Sequence, residues 1–269
     1  ISIEIPHKKL ATENNNDVRI YVRASITDIR TVLEPLIGTG LNFTQQDNYS
    51  IISFTKRNDE YMMREILRYT GNAVSHENIR IDEEIFAFTR DEKISFLQGF
   101  ADVTGYIRRS NYFFKTYMHR VYLEVPHNWH LVSDVCQLLK DVNIPVQAID
   151  WAHPNMRDRN LVKYNEGKPD FWKKEHQIKI WANEFLPIGF AVLHKREALT
   201  QFAIELVDGI KSEGKNPENV THKFYWEGKG KNKVKPHHPS ENDAFIPSEI
   251  RGRHYDSWKQ IAKDLGYEE

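Results

Sequence analysis

The stretch TRDEKISFLQGFADVTG, residues Thr89–Gly105, carries the most information about how this chain folds. Thr89 is followed three residues later by Glu92, and this spacing is typical of a capping box at the start of a helix. The helix is predicted to run to about Asp102 and to stop near Gly105, because glycine favours helix ends. The segment is therefore predicted to be a helix with a defined beginning and end.

The hydrophobic pattern predicts further strands and helices on both sides of this helix. Before it, we predict strands at residues 1–5, 18–25, 41–43 and 49–55 and helices at 26–37 and 58–69. After it, we predict strands at residues 106–111, 118–125, 146–151 and 177–181 and helices at 128–142 and 191–207.

The element order of the first block reappears after the Thr89–Gly105 helix. Short matches accompany it, such as Arg19-Ile-Tyr21 with Arg120-Val-Tyr122. We therefore predict an α/β fold of two pseudo-symmetric αββαββα repeats, the first lacking its opening helix. The predicted boundaries are residues 1–76, residues 77–211 and a basic C-terminal extension at 212–269.

Composition limits the class of protein. The chain has 269 residues, a formal net charge of −1 and one cysteine, so an internal disulfide is excluded. No apolar run is long enough for a membrane helix, and we expect an intracellular protein of the cytoplasm, nucleoid or an organelle. The net charge argues weakly against a nucleic-acid partner. However, Gly105–Leu123 and His222–His238 are both rich in basic residues, and the first has no acid.

The segment Leu97–Gly105, LQGFADVTG, resembles the motif of the LAGLIDADG homing endonucleases in its leading leucine, both glycines and one acid. The resemblance covers roughly residues 1–207. It implies that two such helices pack closely, with Gly99 allowing the approach, and that their ends place carboxylates near the scissile phosphates. It also implies Mg²⁺, which prefers carboxylate oxygens and would activate water for phosphodiester hydrolysis.

The sequence departs from the family pattern at the residue that binds the metal. That aspartate of the family falls on Thr104, whereas Asp102 matches the other aspartate of the motif, usually structural. Three interpretations remain open: Asp102 holds the metal, the active acid lies in a helix upstream of Ile1, or the protein binds DNA without cutting it. The family also places a basic residue near each metal site, and Lys56 and Lys195 match that position. The expected catalytic residues are therefore Asp102, Lys56 and Lys195, with Asp102 as the metal ligand.

The family further implies a sheet that sits on the major groove of DNA, with strand residues reaching bases and phosphates. A long polar insertion, residues 152–176, could extend this surface. The expected DNA-binding residues are Arg19, Arg23, Arg108, Arg109, Lys115, Arg120, Arg157, Arg159, Lys173 and Lys174.

The sequence therefore predicts a sequence-specific, metal-dependent endonuclease of double-stranded DNA, of homing or restriction type. It would be a monomer with two repeats or a homodimer. The alternatives are a non-cleaving DNA-binding regulator on the same scaffold and an α/β enzyme unrelated to nucleic acid. Two weaker patterns are a PD-(D/E)xK-like arrangement at Pro169-Asp170 and Gln177–Lys179, and a histidine group in the tail without standard zinc spacing.

Overall fold

The computed structural model describes residues 1–11, 18–57, 60–73, 78–108, 117–125, 128–150, 176–223, 249–250 and 253–254. The fold is mixed α/β, with two antiparallel sheets of three and four strands and several helices. A further two-stranded ladder joins residues 249–250 to 253–254. Among the described helices, none has both the length and the hydropathy needed to cross a bilayer.

The helices and strands have the following bounds. The strands are β1 (Ser2–Pro6), β2 (Asn42–Gln45), β3 (Tyr49–Ser53), β4 (Gly105–Arg108), β5 (Arg120–Val125), β6 (Ala148–Asp150), β7 (His176–Trp181), β8 (Glu249–Ile250) and β9 (Arg253–His254). The helices are α1 (His7–Leu10), α2 (Val18–Ile37), α3 (Tyr61–Tyr69), α4 (Glu83–Phe86), α5 (Arg90–Thr104), α6 (Trp129–Asp141), α7 (Ala182–Phe185), α8 (Leu193–Ser212) and α9 (Pro217–Thr221), with a 3₁₀ turn at Gly38–Gly40.

The three-stranded sheet has the order β1-β3-β2, and all its pairs are antiparallel. Its strands confirm those predicted at residues 1–5, 41–43 and 49–55, with ends shifted by a few residues. The following helix, α3, begins at Tyr61 with Glu60 at the N-cap position. Asn58, with which the predicted helix begins, lies outside the described residues.

The predicted strand at residues 18–25 is wrong, because these residues form the first part of α2. Alternating apolar residues favoured a strand, yet Ile20 is 64% exposed while Val22 is 1% exposed. The buried side is instead spaced for a helix, at Val22, Ser25, Ile29 and Ile37. The sequence match between residues 19–21 and 120–122 thus compares a helix with a strand.

The four-stranded sheet has the order β4-β5-β7-β6, again with antiparallel pairs. Its strands and the helices α6 and α8 confirm the elements predicted in this half. Helices α5, α6 and α8 contact the sheet, and Val121, Leu123, Ile178 and Ile180 belong to their shared core. The first residues of the predicted extension form α9, which contacts α8.

Helix α5 has the predicted capping box, in which the Thr89 side chain and Glu92 each accept from the other's backbone N–H. It ends at Thr104, and Gly105 opens β4 directly. A Cβ on Gly105 would lie 2.7 Å from the Ala101 carbonyl oxygen, so only glycine fits this turn. At Gly99, by contrast, no described residue comes within 4 Å of the Cβ position.

Candidate nucleic-acid interface

One face of the four-stranded sheet is polar and aromatic, while the other is apolar. Because side chains alternate along a strand, the strand register places one residue of each adjacent pair on each face. The polar face, as we call it, carries Tyr106, Arg108, Arg120, Tyr122, Glu124, Gln177, Lys179 and Trp181. The register also places Asp150 in this set, opposite Gln177, but its side chain is outside the description.

A row of rings and cations crosses this face from β4 to β7. The Arg108 guanidinium lies 4.5 Å from the ring centroid of Tyr106, which stacks on Tyr122 with a centroid separation of 5.2 Å. On the far side, the Lys179 ammonium lies 5.7 Å from the Tyr122 centroid. Arg108, Tyr122 and Lys179 are half-buried, whereas Tyr106 is buried. The first three are thus the members of the row that a ligand can reach.

A second row runs from Arg108 through Arg120 to Trp181, which are opposite each other on adjacent strands. The Arg120 guanidinium lies 4.5 Å from the Trp181 ring centroid, and both side chains are buried. The structure thus brings two predicted DNA-binding residues, Arg108 and Arg120, next to each other. Since Arg120 is buried, its first contribution is to hold the sheet surface in place.

A buried carboxylate lies at the end of the polar face. Glu124 is 2% exposed, and its Oε1 accepts hydrogen bonds from the Tyr106 hydroxyl and the Gln177 amide, both at 2.9 Å. Its Oε2 lies 2.9 Å from the Lys8 ammonium and 3.5 Å from that of Lys9. Helix α1 therefore places two cations on this face, which the sequence did not suggest.

Asp102 lies away from solvent, at the junction between α5 and the start of α8. Its carboxylate accepts hydrogen bonds from the backbone N–H of Ala191 at 3.1 Å and of Val192 at 3.3 Å. Burial raises the pKa of this carboxyl, and the nearby Lys195 ammonium partly offsets that effect. Both oxygens are thus engaged in capping a helix, and the donor set around Asp102 does not fit Mg²⁺ as a ligand site.

Lys195 is fully buried beside Asp102. Its ammonium donates hydrogen bonds to the carbonyl oxygens of Asp102 at 2.7 Å and of Gly105 at 2.8 Å, and it lies 5.2 Å from the Phe190 ring centroid. Burial lowers the pKa of Lys195 to about 7, although Asp102 acts in the opposite direction. The structure therefore brings Asp102 and Lys195 together, but as partners inside the protein.

Thr104, at the position where the family has its metal-binding aspartate, and Lys56, which was predicted to be catalytic, both have local partners. The Thr104 hydroxyl donates to the Phe100 carbonyl one turn earlier, at 2.7 Å. Lys56 forms an ion pair with Glu60 just before α3, at 3.8 Å. Within the part of the chain that the structure describes, no group of three or more His, Cys, Asp or Glu side chains is placed to hold a metal ion.

Three residues that the sequence interpretation missed connect α2 to the start of α8. The Asp28 carboxylate accepts from the Leu193 backbone N–H at 2.8 Å. The Ser25 hydroxyl donates to the Leu10 carbonyl and contacts His194 Nε2 at 2.7 Å. Burial lowers the pKa of His194 to about 4. A correct prediction of α2 as a helix would have placed Ser25 and Asp28 on neighbouring turns of one element.

The remaining predicted DNA-binding residues are placed as follows. Arg23 is exposed on α2, so it is on a helix rather than the predicted strand; Arg19 is in the first turn of that helix, and its side chain lies outside the description. The predictions at Arg109, Lys115, Arg157, Arg159, Lys173 and Lys174, at Asp170 and in the basic segment from residue 224 fall outside the described residues.

No protein-family model, curated protein or solved structure matches this chain.

Proposed function

We propose that this chain binds double-stranded DNA through the polar face of its four-stranded sheet. The observation that carries the proposal is the separation of charge and rings on that sheet: Arg108, Tyr122 and Lys179 are partly exposed on one face, and the opposite face packs against helices. Among the described side chains of the polar face, Glu124 is the one carboxylate, and two lysines of α1 pair with it.

The chemistry of this face suits a nucleic-acid backbone. Arginine and lysine neutralise phosphates and release counterions, which supplies most of the sequence-independent affinity for DNA. Strands of an antiparallel sheet can enter a groove of DNA. There arginine pairs with guanine, and other side chains contact the edges of other bases. Arg108 is half-buried and is the arginine of this face that we propose for such a contact, and Lys179 suits a phosphate.

We further propose that the chain consists of two LAGLIDADG-like repeats. The order α5-β4-β5-α6-β6-β7-α8, with the short α7 inserted, is the αββαββα order that the resemblance implies. The first half has the order β1-α1-α2-β2-β3-α3, with the short α1 inserted, and its strand order β1-β3-β2 corresponds to β5-β7-β6. In this alignment β1 corresponds to β5, whereas the sequence-based repeat matched residues 18–25 with that strand.

Metal-dependent cleavage of the bound DNA, of homing or restriction type, is the second candidate function. It is favoured by the position of α5, which runs through Gly105 into the first strand of the sheet, as the resemblance implies. The capping role of Asp102 argues that this residue does not hold Mg²⁺, so cleavage needs another carboxylate. Binding without cleavage is therefore the function that the described geometry supports better.

A titration of a labelled duplex, followed by fluorescence anisotropy at several salt concentrations, tests binding. We expect Arg108→Gln and Lys179→Gln to weaken binding and to reduce the salt dependence by about one counterion each. Arg64→Gln and Arg196→Gln remove exposed arginines from α3 and α8. They should leave the affinity for the duplex and its salt dependence unchanged. Equal loss in all four variants, or no binding at low salt, would contradict the proposal.

Incubation of plasmid DNA with Mg²⁺ or Mn²⁺ tests the second candidate. Tight binding without cleavage in either metal would exclude the endonuclease.

Binding to DNA implies an intracellular location, and we propose that one chain with both halves is the binding species. Sedimentation of the complex distinguishes this from a homodimer.

A further inference from the structure

We infer that Glu124 takes the place of a DNA phosphate on the polar face: it holds Lys8 in the free protein, and Lys8 exchanges Glu124 for a phosphate when DNA binds. The inference rests on the proposed function and adds a residue that limits the affinity of the site. It assigns Lys8 and Glu124 a role that neither the motif nor the basic strands suggested.

The two lysines on Glu124 differ in a way that allows such an exchange. The Lys8 side chain is 44% exposed and the Lys9 side chain is 7% exposed, yet both approach the same oxygen, at 2.9 Å and 3.5 Å. Because the Lys8 ammonium reaches solvent, water can hydrate it once it has left Glu124, so separating this pair costs less than separating a pair with both partners buried. Lys8 can therefore leave, while Lys9 is held in place by burial.

Glu124 keeps its other partners when Lys8 leaves. The Tyr106 hydroxyl and the Gln177 amide still donate to Oε1, and Lys9 still balances the charge. A buried carboxylate that lost its last cation would be strongly destabilising, and the second lysine avoids that cost. The two-lysine arrangement thus explains how one of them can be shared with a ligand.

The position of α1 favours a phosphate as the alternative partner. Helix α1 contacts β4 and α5, so Lys8 lies at the border of the face on which Tyr106 and Arg108 are placed. A phosphate presents the same charge-assisted acceptor as a carboxylate, at similar distances. Competition from Glu124 for Lys8 lowers the affinity of this face for the DNA backbone. The reduction is the same for every DNA sequence.

The test is a double-mutant cycle on duplex binding, with a labelled duplex of mixed sequence as the probe. Glu124→Gln should tighten binding about two- to fivefold, which is the range for a partly exposed ion pair. Lys8→Gln should weaken binding, and by a larger factor in the Glu124→Gln background than in the unchanged protein. Glu124→Gln should therefore not tighten binding in a protein that already carries Lys8→Gln.

A matched control separates this effect from a general change in charge. Lys93 and Asp141 form an ion pair of 3.1 Å elsewhere on the four-stranded unit. Asp141→Asn changes the net charge as Glu124→Gln does and should leave duplex affinity unchanged. Equal tightening by both substitutions, or additive effects of Lys8→Gln and Glu124→Gln, would overturn the inference.

Circular dichroism shows whether Glu124→Gln folds, since this substitution disturbs a buried network. If it does not fold, Lys8→Gln and Lys8→Arg decide: the first should reduce the slope of log affinity against log salt by about 0.9, and the second should preserve it. An unchanged slope in Lys8→Gln would overturn the inference. If the unchanged protein does not bind duplex at all, the proposed function fails, and the inference fails with it.

Discussion

Asp102 and Lys195 cap each other's helices at one buried junction. The Asp102 carboxylate, near the end of α5, accepts the backbone N–H groups of Ala191 and Val192 just before α8. Lys195, in the first turn of α8, donates to the carbonyl oxygens of Asp102 and Gly105, where α5 ends. Each residue thus binds backbone groups at the end of the other's helix or next to it.

Asp102→Ala is expected to reduce the free energy of unfolding by about 3 kcal/mol, because it leaves two buried N–H groups unsatisfied and removes the charge beside Lys195. Urea unfolding followed by circular dichroism measures the loss. Asp91→Ala, an exposed acid in the first turn of α5, should cost less than about 1 kcal/mol. A stable Asp102→Ala that loses Mg²⁺-dependent cleavage would instead assign Asp102 to the metal.

Lys195 should make the stability depend on pH between about 7 and 10.5. The folded protein releases this proton near pH 7, whereas the unfolded chain keeps it to about pH 10.4. In that window the unfolded state binds more protons than the folded state. The contribution of Lys195 to the free energy of unfolding therefore rises with pH. Lys195→Met should remove this rise in urea unfolding measured from pH 7 to 9.

Lys211→Met is the control for this pH profile, since Lys211 is an exposed lysine in the last turn of the same helix. It should retain the rise seen in the unchanged protein. A pH profile of Lys195→Met that parallels that of the unchanged chain would show that Lys195 does not titrate in this window.

His194 should contribute to acid lability. Its pKa is about 4 in the folded protein and about 6.5 in the unfolded chain. As pH falls from 6.5 to 4, the unfolded state takes up the proton first, so stability is lost in this window. His194→Gln should lessen the fall in melting temperature, whereas His222→Gln, an exposed histidine after α9, should not. A fall of the same size in His194→Gln would contradict this assignment.

The helical form of residues 18–25 can be tested with two apolar residues of that segment. In α2, Val22 is 1% exposed and Ile20 is 64% exposed, whereas a strand would bury both on one face. Val22→Ala should cost about 2 kcal/mol of unfolding free energy, and Ile20→Ala less than about 0.5 kcal/mol. Similar losses at both positions would favour the strand.

The elements that the sequence predicted well are those with a local signal. The capping box at Thr89 and Glu92 and the glycine at 105 define α5 without reference to the rest of the chain. For residues 18–25 the local signal was ambiguous, because the alternation of Val18, Ile20 and Val22 also fits the start of an amphipathic helix. Packing against the first sheet selects the helix.

The junction could not be predicted, because its contacts join distant segments. The resemblance identified both Asp102 and Lys195, but it did not show that the two residues face each other inside the protein. Asp28 and Ser25 carried no recognisable pattern, since their partners are a backbone N–H and a histidine on α8. Their role follows from the tertiary structure alone.

The reciprocal caps also constrain the order in which this protein folds. Val192, the N-cap residue of α8, makes no side-chain capping bond, and the carboxylates that accept N–H groups at this helix start, those of Asp102 and Asp28, are 89 and 165 positions earlier in the chain. Such distant contacts form slowly, because a long loop must close, at a cost in chain entropy, before the contacts can stabilise the protein. During synthesis, α5 can form early from its own capping box, but the Asp102 carbonyl near its end cannot accept from Lys195 until that residue has left the ribosome. Docking of α8 is therefore the late step that joins the two ends of the four-stranded unit.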